Sequence, residues 1–458
     1  MMHNARQMTL KNLISCILNP VILSLGIVLL LTVSPAYAII DIKREVLPNG
    51  LTLLVVERHN LPIVRVTVGI NAGSMIEPEE KAGLANLTVE LLTGGTKKRT
   101  ASEINEEIEF IGASLEPSGG YDYVTVSLSI LRKDLDRGFD ILSDILINPS
   151  FPRDELSRKK TRIKGSLIAK EEDPDSVARK AFKKALFGSH PYGRLIEGSP
   201  ETLDRIRRKD LMDFHSTYYA PNNTVMAVVG DITIEEVKTL LARYFSGWKK
   251  KELKMPSPPK PQPIKEKQVI SIDKELTQAS IILGHPAIQR DNPDYYALSV
   301  MNYILGGGGF TSRLMQNIRE EKGLAYDIHT ALSSRKEAGS FGVSVQTKNE
   351  SANTVIEETL KEIGYIRETH VSHEELSDAK SFLTGSFPLM IETGQKIANF
   401  LMAIEYYNLG LDYINKYPLY IQRVTREDVL RVAKKYLDLE RFILVVVGNQ
   451  KKVLLKFR

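Results

Sequence analysis

Between residues 84 and 96 the apolar side chains return every three or four positions: Leu84, Leu87 and Leu91, with Ala85 and Leu92 beside them. That period predicts an amphipathic helix. Asn86, Val89, Glu90 and Thr93 fall together on another of its stripes. Upstream, residues 51–57 and 63–70 are rich in β-branched and aliphatic side chains and predict two strands, parted by the turn Arg58-His59-Asn60-Leu61-Pro62. Residues 71–80 are a polar loop, and Gly94-Gly95 closes the helix. Thr100 with Glu103 makes a capping box ahead of a stripe of Ile104, Ile108 and Ile111. Residues 121–130 alternate as a strand does. Residues 134–147, 153–172, 176–187 and 201–219 have helical period, 224–229 are a strand, and 235–245 a helix.

The pattern then breaks. Residues 249–267 hold Pro256, Pro258, Pro259, Pro261 and Pro263 among lysines. Such a stretch sustains neither a helix nor a central strand and is expected as a stiff, extended linker. The second half of the chain repeats the first. Arg205 to Leu211 matches Arg423 to Val429, and Val228-Val229-Gly230-Asp231 matches Val446-Val447-Gly448-Asn449, both at an offset of 218. Glu155-Leu156-Ser157 matches Glu375-Leu376-Ser377, with Gly165-Ser166 against Gly385-Ser386, at an offset of 220. Three matches at nearly one offset argue for an internal duplication. The expected organisation is an export segment over 1–38, one domain over 39–248, the linker over 249–267 and a second domain over 268–458. Each domain is α+β, because strands and helices do not alternate strictly.

Charge and cysteine usage narrow the function. A net charge of +5 over 458 residues is small, and no basic stripe is interleaved with aromatics, so nucleic acid is not an expected partner. Arg6 and Lys11 precede a continuous apolar run over 21–33, and Ala36-Tyr37-Ala38 is a small-x-small cleavage signal. The expectation is cleavage before Ile39 and a periplasmic or secreted protein with no membrane attachment afterwards; an uncleaved anchor is the alternative. The only cysteine, Cys16, lies in that segment, so the chain beyond it has no thiol for a disulfide, a nucleophile or a metal.

Several motifs together resemble the insulinase/pitrilysin family of inverzincin peptidases, which includes mitochondrial processing peptidase. They are Leu47-Pro48-Asn49-Gly50-Leu51, Gly73-Ser74 with Glu77-Pro78, Gly83-Leu84-Ala85, Gly95-Thr96, His190-Pro191-Tyr192-Gly193 and Val229-Gly230-Asp231. The resemblance implies two homologous α+β halves, each an antiparallel sheet with helices packed on it, arranged as a clam shell around a peptide chamber. In that family the helix beginning Gly-Leu-Ala carries H-x-x-E-H, whose histidines bind zinc and whose Glu activates water. Here those positions hold Asn86, Val89 and Glu90, and the third ligand, a Glu about 76 residues on, is Ser166. One carboxylate does not hold zinc against water, and Val89 accepts no proton. No metal is therefore expected on this chain. The alternative is a rearranged site in which Glu171 and Glu172 join Glu90 on a hard cation.

Other candidates are weaker. His370-Val371-Ser372-His373-Glu374 has no inverzincin spacing, and Ser372 with Glu375 reads instead as a capping box. His190 before Pro191 reads as a packing or capping residue. His59, His215, His285 and His329 are scattered and form no triad order. Gly306, Gly307, Gly308 and Gly309 are not followed by the Lys-Ser/Thr of a phosphate loop. They are expected to let backbone and substrate approach closely. Residues 313–322 are expected as a helix capped by Gly323, followed by a strand from Ala325. Arg319 and Tyr326 match the family spacing L-R-x-x-x-x-L-x-Y, in which the resemblance gives the Arg a role in holding substrate and the Tyr hydroxyl a role on the oxyanion. The expected function is that of a zinc-less subunit forming a hetero-dimer with a zinc-bearing paralogue and supporting hydrolysis of a peptide substrate in the partner's site. A non-enzymatic scaffold and a divergent metal-dependent hydrolase using Glu90 are the alternatives.

Overall fold

The first six strands form one sheet in the order β1-β2-β6-β3-β5-β4. They are β1 (Lys43–Val46), β2 (Thr52–Glu57), β3 (Ile63–Ile70), β4 (Ser114–Ser118), β5 (Val124–Leu131) and β6 (Thr224–Gly230). The neighbours β2 and β3 in sequence are not a hairpin. β6 enters between them, parallel to β2 and antiparallel to β3. The last five strands form the second sheet, β7-β11-β8-β10-β9. These are β7 (Gln268–Asp273), β8 (Gln278–Ala287), β9 (Ala325–Ser334), β10 (Gly339–Lys348) and β11 (Ile443–Gly448). Apart from β1, the second sheet repeats the first strand for strand. β11 is parallel to β7 and antiparallel to β8, as β6 is to β2 and β3. The structure is a computed structural model and describes residues 40–457; the export segment expected over 1–38 lies outside them.

The helices of the first half are α1 (Leu84–Glu90), α2 (Ala101–Phe110), α3 (Leu135–Ile147), α4 (Arg153–Glu172), α5 (Pro174–Phe187), α6 (Pro200–Arg205), α7 (Arg208–Tyr218) and α8 (Ile234–Tyr244). Those of the second are α9 (Tyr295–Asn302), α10 (Ala352–Glu368), α11 (His373–Ser386), α12 (Gly394–Tyr406), α13 (Tyr413–Arg423), α14 (Arg426–Tyr436) and the single turn α15 (Gln450–Val453). The duplication is visible in the boundaries: α11 starts 220 positions after α4, and α14 starts 218 after α7. The capping boxes at Thr100/Glu103 and Ser372/Glu375 are both formed. Three expectations need correction, the first being the helix from Leu84, which stops at Glu90 ahead of a 3₁₀ turn. The single helix expected over 201–219 breaks at Ile206-Arg207 into α6 and α7, each with its own cap. The helix expected over 313–322 is wound with π-type turns over Met315–Glu321, and another π turn spans Tyr303–Gly307.

One face of the first sheet packs on α1, α3 and other helices of its own half, with Val64, Val66, Val68, Val126 and Leu128 buried among them. The other face takes a helix from the opposite half. α12 lies on β3 and β6, while its counterpart α5 lies on β8 and β11 of the second sheet. Phe182 and Ala178 of α5 are buried against Ile282, Val445 and Val447. Gly69 on β3 has no room for a side chain, because a Cβ there would meet the Met402 methyl of α12 at 1.9 Å. Each half thus contributes to the other's second layer, and residues from Ile42 onward form one compact unit. Among the described residues no helix is long and apolar enough to cross a membrane.

Candidate functional site

α1 is short, and its N-terminus is held by an unusual cap. Gly83 precedes it at φ +98°, a left-handed conformation that glycine adopts at little cost. A Cβ there would also lie 2.6 Å from the Glu197 carbonyl oxygen. The capping acceptor comes from outside the helix. The Glu77 carboxylate accepts from the backbone N–H of Gly83 at 2.9 Å and of Ala85 at 2.8 Å, satisfying two of the N–H groups that a helix start leaves unpaired. Glu77 is buried, and burial pushes it up to about 7, against the pull of those donors and of Arg194. The motif residue Glu77 therefore fixes the position of the helix that carries the degenerate metal positions. Its role was not legible from spacing alone.

Three of those four positions are brought together with α4. Asn86 is buried and donates its Nδ2 to Glu90 Oε1 at 3.1 Å. Val89 is fully buried in the apolar core and adds nothing polar. The second oxygen of Glu90 is taken by Lys159 Nζ at 2.9 Å, with Arg162 at 3.8 Å. Lys159 lies seven residues before Ser166, two turns back along α4 and on the same face of it. Ser166 is exposed. An ammonium group thus sits where a cation would have to bind Glu90, beside a carboxamide, an isopropyl group and a distant hydroxyl. This set does not fit zinc, which takes three His, Asp, Glu or Cys ligands. Lys159, Arg162, Glu90 and Glu155 share a small cleft of about 260 Å³.

The rearranged alternative fares no better. Glu171 pairs with Lys180 and both it and Glu172 are exposed, while Glu90 is engaged by Lys159. Among the described residues no group of three or more His, Asp or Glu side chains is placed to hold a metal. His190 is buried as the cap of the following turn. Its Nδ1 accepts from the Tyr192 N–H, and burial lowers it to about 4, so it is neutral at pH 7.

In the second half, Arg319 sits in the last turn before Gly323, whose φ of +59° turns the chain into β9. Its guanidinium carbon lies 4.6 Å from the Phe310 ring centroid and 5.3 Å from that of Tyr326. Both rings are largely exposed, Phe310 at 61% and Tyr326 at 82%. The only ion pair of Arg319 among the described residues is a loose one to Glu320 at 3.6 Å. The pair matched by motif spacing thus meets in space, and a third member, Phe310, joins it from the glycine stretch. The bulky residue closing that stretch was the available signal for it. The four glycines do different work. Gly306 is buried, and a Cβ there would meet the Thr330 methyl of β9 at 2.6 Å. Gly307 and Gly308 lie close to Asn302 and Tyr303. Gly309 alone takes a left-handed φ, +60°, beside open space. The arrangement offers a half-buried cation between two exposed aromatic rings, one of which carries a phenol hydroxyl.

Comparison with known proteins places these features. The profile described as Insulinase (Peptidase family M16) matches residues 53–199, and that described as Peptidase M16 inactive domain matches residues 205–383. A Bacillus subtilis protein named uncharacterized zinc protease YmxG is 28% identical over 355 residues, covering 77% of this chain and 85% of its own. A Helicobacter pylori protein named non-peptidase homolog YmxG is 27% identical over 397 residues, covering 86% and 91%. The crystal structure of a peptidase M16 inactive domain from Pseudomonas fluorescens superposes with a TM-score of 0.82 at 28% identity, covering 89% of this chain and 98% of that one. A Helicobacter pylori protease structure shares the fold, with a TM-score of 0.83 at 21% identity over 89% and 99%.

Proposed function

The chain belongs to the insulinase family, peptidase family M16, and we propose that it is a metal-free subunit that completes the peptide site of a zinc-bearing paralogue. The observation that carries this reading is the contrast between its two candidate sites. The metal positions are closed off by Val89 and by the Lys159–Glu90 pair. Arg319, half-buried, holds the exposed Tyr326 ring beside it, and the phenol has little use in the chain's own packing. An 82% exposed tyrosine on a guanidinium contributes little to a core. It suits a partner's reacting group, where its hydroxyl would donate to an oxyanion while Arg319 holds the peptide. The zinc, the water and the general base would all be the partner's, and this chain would supply one wall of a peptide chamber in a hetero-dimer. The export signal read in residues 1–38 supports a site of action in the periplasm or outside the cell.

A second reading is favoured by the Helicobacter pylori relative, whose name marks it as a non-peptidase: a scaffold or peptide-holding protein with no part in hydrolysis. Mixing experiments separate the two. The isolated chain is expected to hydrolyse no peptide, and a mixture with an M16 paralogue carrying an intact H-x-x-E-H is expected to do so. Tyr326→Phe in the mixture should lower kcat by about tenfold or more with KM little changed. Unchanged turnover would remove Tyr326 from the chemistry and leave the scaffold reading.

A further inference from the structure

Where α12 crosses the outer face of the first sheet it lies mainly on β3 and β6 and reaches β5 through Gln395, whose Nε2 donates to Ser127 Oγ at 3.5 Å. The outward residues Thr125 and Ser127 on β5 and Glu116 on β4 floor a cleft of about 460 Å³. Tyr407 lies on one wall. The end is closed by the β4–β5 loop from one half and by Arg335, in the β9–β10 turn, from the other. Gly119, on the rim, lies against the degenerate metal helix, since a Cβ on it would be 2.1 Å from Asn86 Oδ1. The cleft therefore starts beside the abandoned zinc position and runs to the seam between the halves.

Arg335 is placed there with care and left without a counter-ion. Its guanidinium carbon lies 4.7 Å from the Tyr121 ring centroid and 5.6 Å from that of Tyr192. Tyr121 is itself fixed by a hydrogen bond from its hydroxyl to the Arg194 carbonyl at 2.8 Å. The backbone of Arg335 is pinned by bonds with Arg290 and Ala338. Among the described residues its guanidinium makes no ion pair and no side-chain hydrogen bond. The nearby carboxylate is committed elsewhere: Asp122 accepts from the Tyr192 hydroxyl and from the Tyr407 hydroxyl at 3.2 Å. A second cation, Lys183 of α5, lies 5.5 Å from the same Tyr121 ring, and burial and Arg335 disfavour its charge against the pull of Glu197. Two cations from opposite halves share one aromatic ring and repel each other. A stacked guanidinium keeps its flat faces on the rings and presents its N–H edge, the geometry that receives a carboxylate bidentately.

We propose that this cleft is a carboxylate-recognition site for peptides, with Arg335 as the residue that reads the acid. The inference deepens the peptide-holding reading above and rests on it. The acid is either a Glu or Asp side chain or a peptide C-terminus. Glu116 and Asp122 share the lining with the single arginine and disfavour a polyanion. The volume lies in the range of pockets that enclose small ligands, about 300–1,000 Å³.

The test is calorimetric titration of the full chain with three N-acetylated nonapeptides of alternating Ala and Ser. One has a central Glu and an amidated end, one a central Gln and a free C-terminal acid, and one a central Gln and an amidated end. At least one acidic peptide should bind about tenfold or more tighter than the neutral one, and the arm that does identifies the source of the carboxylate. Arg335→Gln should abolish the preference, and Arg335→Lys should keep only part of it. Equal binding of all three peptides by the wild-type chain, a comparison that needs no variant, would overturn the proposal and leave the peptide-holding reading standing. A preference that survives in Arg335→Gln would overturn it too. Absence of binding by any of the three would likewise overturn it, and the mixed-subunit hydrolysis assay would still judge the proposed function separately.

Discussion

Replacing Glu77 with glutamine isolates the link between a buried carboxyl group and the helix that carries the degenerate metal positions. In the folded chain burial raises Glu77 to about 7, from an ordinary value of 4.5. An acid whose folded value lies above its unfolded value binds more protons when folded. The free energy of unfolding contributed by this group is therefore greatest below about pH 4.5, declines as pH rises through the window between the two values, and is flat above about 7. At about 1.36 kcal/mol per pH unit across the window from about 4.5 to about 7, the decline amounts to about 3 kcal/mol. The amide of Glu77→Gln cannot ionise, so the variant lacks this decline. The measurement is urea unfolding followed by far-UV circular dichroism, on both proteins, at half-unit steps from about pH 4.5 to 8. Other groups that titrate in the window cancel in the difference between the two. The wild-type chain should lose about 3 kcal/mol relative to Glu77→Gln between the two ends. A difference that stays flat would refute the reasoning, and would mean that the two backbone donors and Arg194 outweigh burial and keep Glu77 ionised throughout.

Three further outcomes are expected from the packing around the same helix. Val89→Glu, which restores the general base of the family motif by identity, should destabilise the chain by about 3 kcal/mol or more in the same assay, because it buries a carboxylate at a position with no exposure. Gly73→Ala should cost about 1–3 kcal/mol, since its Cβ would lie 2.2 Å from the Tyr121 carbonyl oxygen, a backbone atom that cannot swing aside. Lys159→Ala should cost only about 0.5–1 kcal/mol by urea unfolding, because both partners of the Glu90 pair keep some contact with solvent, 19% for Lys159 and 24% for Glu90.

Much of this was written in local pattern. The β3 span predicted from its aliphatic and β-branched residues is the span formed, residues 63–70. Thr100, Ser372 and their partners cap where spacing placed them, because a capping box depends on four consecutive residues alone. The likeness of the halves at offsets of 218 and 220 reappears as equivalent strands and helices, because matched burial patterns fold alike. What escaped was set by long-range partners. Nothing in the amphipathic stripe of α5 says that it covers the other half's sheet, since a helix face specifies apolarity and not address. For the same reason β6 could not be seen to enter between β2 and β3. The helix pattern beginning at Leu84 also ran past the helix itself: α1 stops at Glu90, and Leu92 and Thr93 belong to a tighter 3₁₀ turn. At the site, substitution of the zinc ligands was legible from spacing. The lysine that neutralises Glu90 was not, because Lys159 is distant in sequence and meets it only through the packing of α4 on α1.

The most direct measurement is the zinc content of the purified full chain after equilibration with Zn²⁺ and gel filtration, read by elemental mass spectrometry. With Lys159 on Glu90 and no group of three His, Asp or Glu ligands in reach among the described residues, the account predicts far less than one zinc per chain. One tightly held zinc per chain, lost on Glu90→Gln, would contradict it.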